Sequence, residues 1–139
     1  MSRARTPVIA SSAGVVISAG YYECGGGTVI VRPDFRVVDP KTDSPTRITI
    51  SYQHLVVRED LRHDMRVVPG EVIGHVAPGN ADACSNPLSH VHLAVDPFPS
   101  AAHPINPHLL WSEGPGKVSC YRNGVALPEG KIVAPLRCQ

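Results

Sequence analysis

An all-β fold follows from three features of this sequence. Its apolar residues fall in short β-branched runs or in strict alternation. Helical periodicity is almost absent. Fourteen prolines and twelve glycines in 139 residues divide those runs into short elements joined by many turns. The length suits one domain, and an apolar content of 42% is enough for a core. A formal net charge of +1 with no basic block gives no electrostatic case for nucleic acid. No apolar run approaches the ~20 residues of a membrane helix. The basic start, Met1 to Arg5, is not followed by a signal-type hydrophobic segment.

Taken in order, Pro7–Ala10 and Gly14–Ala19 read as two strands around a Ser-Ser-Ala turn. Cys24-Gly25-Gly26-Gly27 is a glycine-rich turn, and without a lysine or a following helix it is not a phosphate loop. Thr28–Val31 is the next strand and completes a hairpin. Residues 32–46, with Pro33, Pro40 and Pro45, read as a loop or ragged edge. Arg47–Leu55 alternates cleanly, which puts Ile48, Ile50, Tyr52 and His54 on one face. Tyr52 on such a face either lines a groove or belongs to the core, the commoner place for a strand aromatic. Residues 58–64 suggest a short helical turn, Pro69-Gly70 a type II-like turn, and Val72–Val76 a strand. Ser89–Val95 is a further strand, and residues 96–107 are irregular and proline-rich. Asn106–Trp111 suggests a helical turn, with Trp111 packing on the sheet. Residues 112–139 form a tail with a hairpin about Asn123-Gly124, between Val118–Tyr121 and Val125–Leu127, then a strand at Lys131–Ala134. The expected division is a main unit at residues 1–111 and this tail at 112–139.

Four cysteines, none in a C-x-x-C pair, allow three disulfide connectivities. The favoured set is Cys120–Cys138, closing the tail, and Cys24–Cys84 as a long-range link. Both together imply an oxidising compartment; four buried thiols are the alternative.

The chemistry-bearing residues are histidines. On a strand, His90 and His92 leave the same face roughly 7 Å apart. A third imidazole, His54, lies in Tyr52-Gln53-His54-Leu55. Such a set can begin a zinc or acid–base site, or be a set of imidazoles hydrogen-bonded in a polar groove. His63, His75, His103 and His108 read as surface or loop residues.

Six segments in order resemble the lysostaphin-type zinc endopeptidases that cut peptidoglycan peptides. They are Thr6-Pro7-Val8-Ile9-Ala10 with Gly14-Val15-Val16; Gly27-Thr28-Val29-Ile30-Val31; Tyr52-x-His54-Leu55; Val68-Pro69-Gly70-Glu71-Val72-Ile73-Gly74; His90-Val91-His92-Leu93; and Ile105-Asn106-Pro107. The resemblance runs from about Thr6 to Trp111. It implies a small antiparallel sheet core with long loops. It implies His92 as a zinc ligand, and His54 and His90 as the catalytic pair that activates water and stabilises an oxyanion. Zinc would lower the pKa of bound water towards ~7 and polarise the scissile carbonyl.

The sequence also departs from that pattern. The family's other two ligands come from a His-x-x-x-Asp motif before the segment resembling Thr6-Pro7-Val8. Met1 to Arg5 hold neither residue type. His92 to Asp96 has the spacing, but on a strand those residues lie roughly 13 Å apart. Ala94 stands where the family often has an acidic residue, and Cys84 interrupts the loop before the histidines. The zinc site is therefore expected to be incomplete.

Two functions follow. One is a non-catalytic module that binds peptidoglycan peptides or serves, with a protein partner, in an envelope or virion assembly. The other is a zinc endopeptidase whose missing ligands come from an upstream segment or a partner chain. Either would work outside the cytoplasm or on a virion. An arrangement in which His54, His90 and His92 share one metal is a third, smaller prospect.

Overall fold

A computed structural model describes residues 5–24, 26–78, 90–99 and 103–138. Among the described residues eight strands form one antiparallel sheet: β1 (Pro7–Ile9), β2 (Gly14–Tyr22), β3 (Gly26–Pro33), β4 (Arg36–Asp39), β5 (Ser44–Val57), β6 (Arg66–Val67), β7 (Val72–Val76) and β8 (His92–Phe98). The order is β1-β7-β5-β3-β2-β6, with β4 and β8 also paired to β5. The all-β expectation holds. A 3-10 turn, Pro107–Leu109, sits where a helical turn was expected. No helix among the described residues is long and apolar enough to cross a membrane.

The 14-residue β5 is the centre of the sheet. It pairs with β3 and β4 along one side and with β8 and β7 along the other. Its inward set, Ile48, Ile50 and Tyr52, is fully buried. These residues pack with Val16, Val29, Val31, Ile73 and Val95. Burying each such side chain contributes about 1.5–3 kcal/mol. The Tyr52 hydroxyl accepts the Ser11 N–H at 2.9 Å, which satisfies the one polar atom the ring takes into the core. Burial pushes this phenol above its ordinary pKa, opposed by the Ser11 hydrogen bond.

Three sequence expectations change. Residues 32–46 are mostly strand, because their prolines fall where they cost no ladder bond. Pro33 ends β3, Pro40 follows β4, and Pro45 is solvent-exposed opposite Val38. Residues 58–64 form turns, not helix. The tail makes its turn at Asn123-Gly124 but no hairpin ladder. It is held by isolated bonds instead. Ile9 donates to the Pro135 carbonyl at 2.8 Å and Val133 to that of Ser11 at 3.0 Å. Single bridges join Val8 to Leu136 and Trp111 to Ile132. The tail thereby covers β1, an edge of the sheet.

Cys120 and Cys138 are disulfide-bonded across a separation of 18 residues, as expected. Cys24 is also disulfide-bonded; Cys84, its expected partner, lies outside the described residues. Beside the disulfide, the Tyr121 ring occupies the space a Cβ at Gly70 would fill, 2.5 Å away, and Gly70 has φ +85°. The Pro69-Gly70 turn therefore needs glycine twice, for its backbone and for the tail to dock on it.

Candidate functional site

Directly opposed residues of an antiparallel pair share a face. The β5–β8 register sets Ile50 against Val95 and Tyr52 against Leu93 on the core face. It sets Thr49 against Asp96, Ser51 against Ala94 and Gln53 against His92 on the other, open face. His92 is accordingly exposed, whereas Val95 is buried.

Simple alternation would send His54 to the core with Tyr52, and here the sequence reading is corrected. Gly27 pairs with Leu55 and Val29 with Tyr52, so β5 carries one extra residue. This is a β-bulge, and within it His54 adopts φ 68°. Leu55 recovers the core position at 1% exposure, and His54 is released from the core face. A left-handed non-glycine residue costs about 1–2 kcal/mol, and such strain tends to collect at functional sites. Part of the restraint is visible: the His54 carbonyl accepts the Ala77 N–H at 2.9 Å, beside β7.

The bulge brings the three histidines together. The His54 ring lies 4.6 Å from that of His90 and 6.2 Å from that of His92, centroid to centroid. β8 begins at His92, so His90 precedes the strand and is not part of it. His54 and His90 are half-buried. Along the open face beyond them runs one cross-strand row, Ser18 opposite Ile30, Ile30 opposite Ser51, and Ser51 opposite Ala94, in which Ile30 is the only bulky side chain. Further still come Asp96 and Phe98.

A catalytic zinc needs three protein ligands. Among the described residues no group of three or more His, Cys, Asp or Glu could hold a metal ion. The three imidazoles are neighbours without forming a cage. The donor set of the described residues therefore does not fit such an ion on its own.

The remaining histidines stay apart. His63 and His75 are exposed. His108 accepts the Trp111 indole N–H at 2.8 Å, fixing the 3-10 turn to the buried tryptophan. His103 is not a plain loop residue. Its Nε2 lies 2.6 Å from Oδ2 of the buried Asp39, tying the segment after β8 to β4. The Lys41 backbone N–H, and then His103, hold the Asp39 carboxyl below its ordinary pKa against the cost of burial. No local sequence signal pairs residues 64 positions apart.

The architecture is that of the lysostaphin-type peptidase fold. The chain is similar to the catalytic domain of the antimicrobial peptidase lysostaphin from Staphylococcus simulans, at 19% identity and a TM-score of 0.56. The match covers 77% of this chain and 71% of that one. It is also similar to a Pseudomonas aeruginosa protein assigned to peptidase M23, at 26% identity and a TM-score of 0.50. That match covers 68% of this chain but 34% of the other, so this chain spans about a third of that protein. No family model and no curated protein matches the sequence.

Proposed function

We propose that the open face of this sheet binds peptidoglycan-type peptides in extended form, as a module that does not itself cut them. The observation behind this is the pairing of a histidine cluster with a donor set too small for zinc. His54, His90 and His92 meet beside Ser51 and Ala94, two short side chains over which a peptide backbone can approach closely. His92 is the family-type ligand position, and the described residues offer no three-ligand group around it. In this role the three imidazoles line the end of the face at which the peptide docks.

A second reading has one observation in its favour. The bulge holds His54 in a strained conformation, a cost that a purely structural imidazole does not require. On that reading His92 binds zinc with two ligands from outside the described residues, and His54 and His90 act on water and oxyanion.

One experiment separates the two. Purified protein is incubated with zinc, dialysed, assayed for metal and offered pentaglycine. The binding-module reading expects shifts of the three histidine ring resonances, little retained zinc and an intact peptide. Retention of about one zinc per chain, abolished by His92→Ala and accompanied by hydrolysis, would establish the peptidase reading instead.

A further inference from the structure

The open face carries a second group of side chains at the end remote from the histidines. Arg36 on β4 lies directly opposite Arg47 on β5. Arg47 in turn lies opposite Phe98 on β8. The β3–β5 register, Ile30 with Ser51 and Val31 with Ile50, brings Arg32 level with Thr49 on the same face. The Arg32 guanidinium carbon sits 5.7 Å from the centroid of the Phe98 ring, so this side chain reaches across β5 to β8. Three arginines from three strands thus share one end of this face, with Arg32 over the Phe98 ring, Arg47 opposite it and Arg36 one strand further on.

Their charge is poorly compensated. None of the three takes part in the ion pairs found among the described residues, which involve Arg58, Arg66, His63 and His103. Asp96, opposite Thr49, is the acidic side chain that shares the arginines' face, whereas Asp39 of the β4–β5 register is buried on the other. Like charges placed directly opposite on an antiparallel pair are destabilising, so Arg36 against Arg47 works against the sheet. Arg32 is already extended over Phe98 by a cation–π contact, which lowers the entropy lost when it engages an anion. Guanidinium groups accept the geometry of a carboxylate better than any other side chain.

The spacing relates this patch to the histidines. The rows of Asp96 and Phe98 lie four and six residues along β8 from His92, or roughly 13 and 20 Å. An extended peptide rises at the same pitch as the strand beneath it. We propose that Arg32, Arg36 and Arg47 form a subsite for a carboxylate on the bound peptide, four to six residues beyond the part that contacts the histidines. This rests on the peptide-binding reading above and adds to it a preference for acidic peptides.

The test uses the full chain and two probes. One is pentaglycine extended at its C-terminus by glutamate amide; the other ends in glutamine amide. Affinity is measured by titration calorimetry, and the histidine rings are followed by NMR. The glutamate peptide is expected to bind about tenfold tighter, the scale of a charge-assisted hydrogen bond. The double variant Arg36→Gln/Arg47→Gln is expected to bring the two affinities within about twofold of each other. Its melting temperature should equal or exceed that of the parent, because a like-charge pair has been removed. Equal binding of both peptides by the parent, with the histidine shifts present, overturns the arginine subsite and leaves the peptide-binding reading standing. Absence of histidine shifts with either peptide overturns that reading and the subsite with it. A double variant that still prefers glutamate as strongly as the parent, or that unfolds, also overturns the subsite. Inorganic phosphate perturbing the arginines without any glutamate preference would mark a general anion-attracting face instead.

Discussion

Gly27 is the tightest point beneath the histidine site, and Gly27→Ala tests how the bulge is supported. A Cβ at this position would lie 1.9 Å from the Leu55 carbonyl oxygen and 2.8 Å from its carbon. It would also lie 3.0 Å from the Tyr21 ring. Ordinary contact begins at 3.4 Å, so β3 and β5 must part by as much as 1.5 Å, the difference from 1.9 Å. The obstacle is backbone, which cannot rotate away. Parting the strands weakens one or two ladder hydrogen bonds and loosens the packing of buried Leu55. At about 1 kcal/mol per bond and 1–2 kcal/mol for the packing, the loss should be about 3 kcal/mol. Leu55 follows His54 directly, so the strained peptide and its ring should move as well. Urea unfolding with an unchanged m-value would measure the first effect, and histidine ring chemical shifts the second. Gly20→Ala on neighbouring β2 is the control, since nothing lies within 4 Å of a Cβ there. It should change stability by less than about 0.5 kcal/mol, or raise it, by restricting the unfolded chain. A Gly27→Ala protein as stable as its parent, with an unmoved His54 ring, would refute the steric account.

Two further outcomes are expected. Replacing both Cys120 and Cys138 by serine should lower stability by about 3 kcal/mol in a chemical melt, from the loop entropy of an 18-residue separation. Hydrogen exchange at Ile9 and Val133 should rise first, because their amides bond across the tail contact. The Asp39 carboxyl is held below its unfolded pKa, so its stabilising effect is complete above that unfolded value. It is lost as the pH falls through the folded one. Asp39→Asn should therefore flatten the acid limb of a stability–pH curve while lowering its neutral plateau; an acid limb as steep as the parent's would count against this role.

The chain made its core legible because large apolar or aromatic residues at every second position of β5 admit one face. Ile48, Ile50 and Tyr52 are buried as that pattern requires. The same pattern misplaced His54, since nothing in Gln53-His54 signals a left-handed residue. Glycine or asparagine would have done so; here tertiary contacts impose the geometry. The strand at β4 was hidden by three prolines that read as breakers but sit at ends and an exposed edge. The tail erred in the opposite direction. Asn123-Gly124 announced a hairpin, yet the flanking residues bond elsewhere: the Ala134 amide reaches the Ser119 carbonyl and that of Val133 the Ser11 carbonyl. The spacing of His90 and His92 placed both on one strand, whereas β8 begins only at His92. The pairing of His103 with Asp39 was not readable, because only the completed fold brings them together.

The bridge between Val8 and Leu136 has a topological consequence. Residues near the two extremities of the described chain sit side by side at one border of the sheet. A short peptide linker could join these positions, with new ends opened at an exposed turn such as Asn123-Gly124. The same geometry would let this unit be carried inside a surface loop of a larger host, entering and leaving through a single narrow neck.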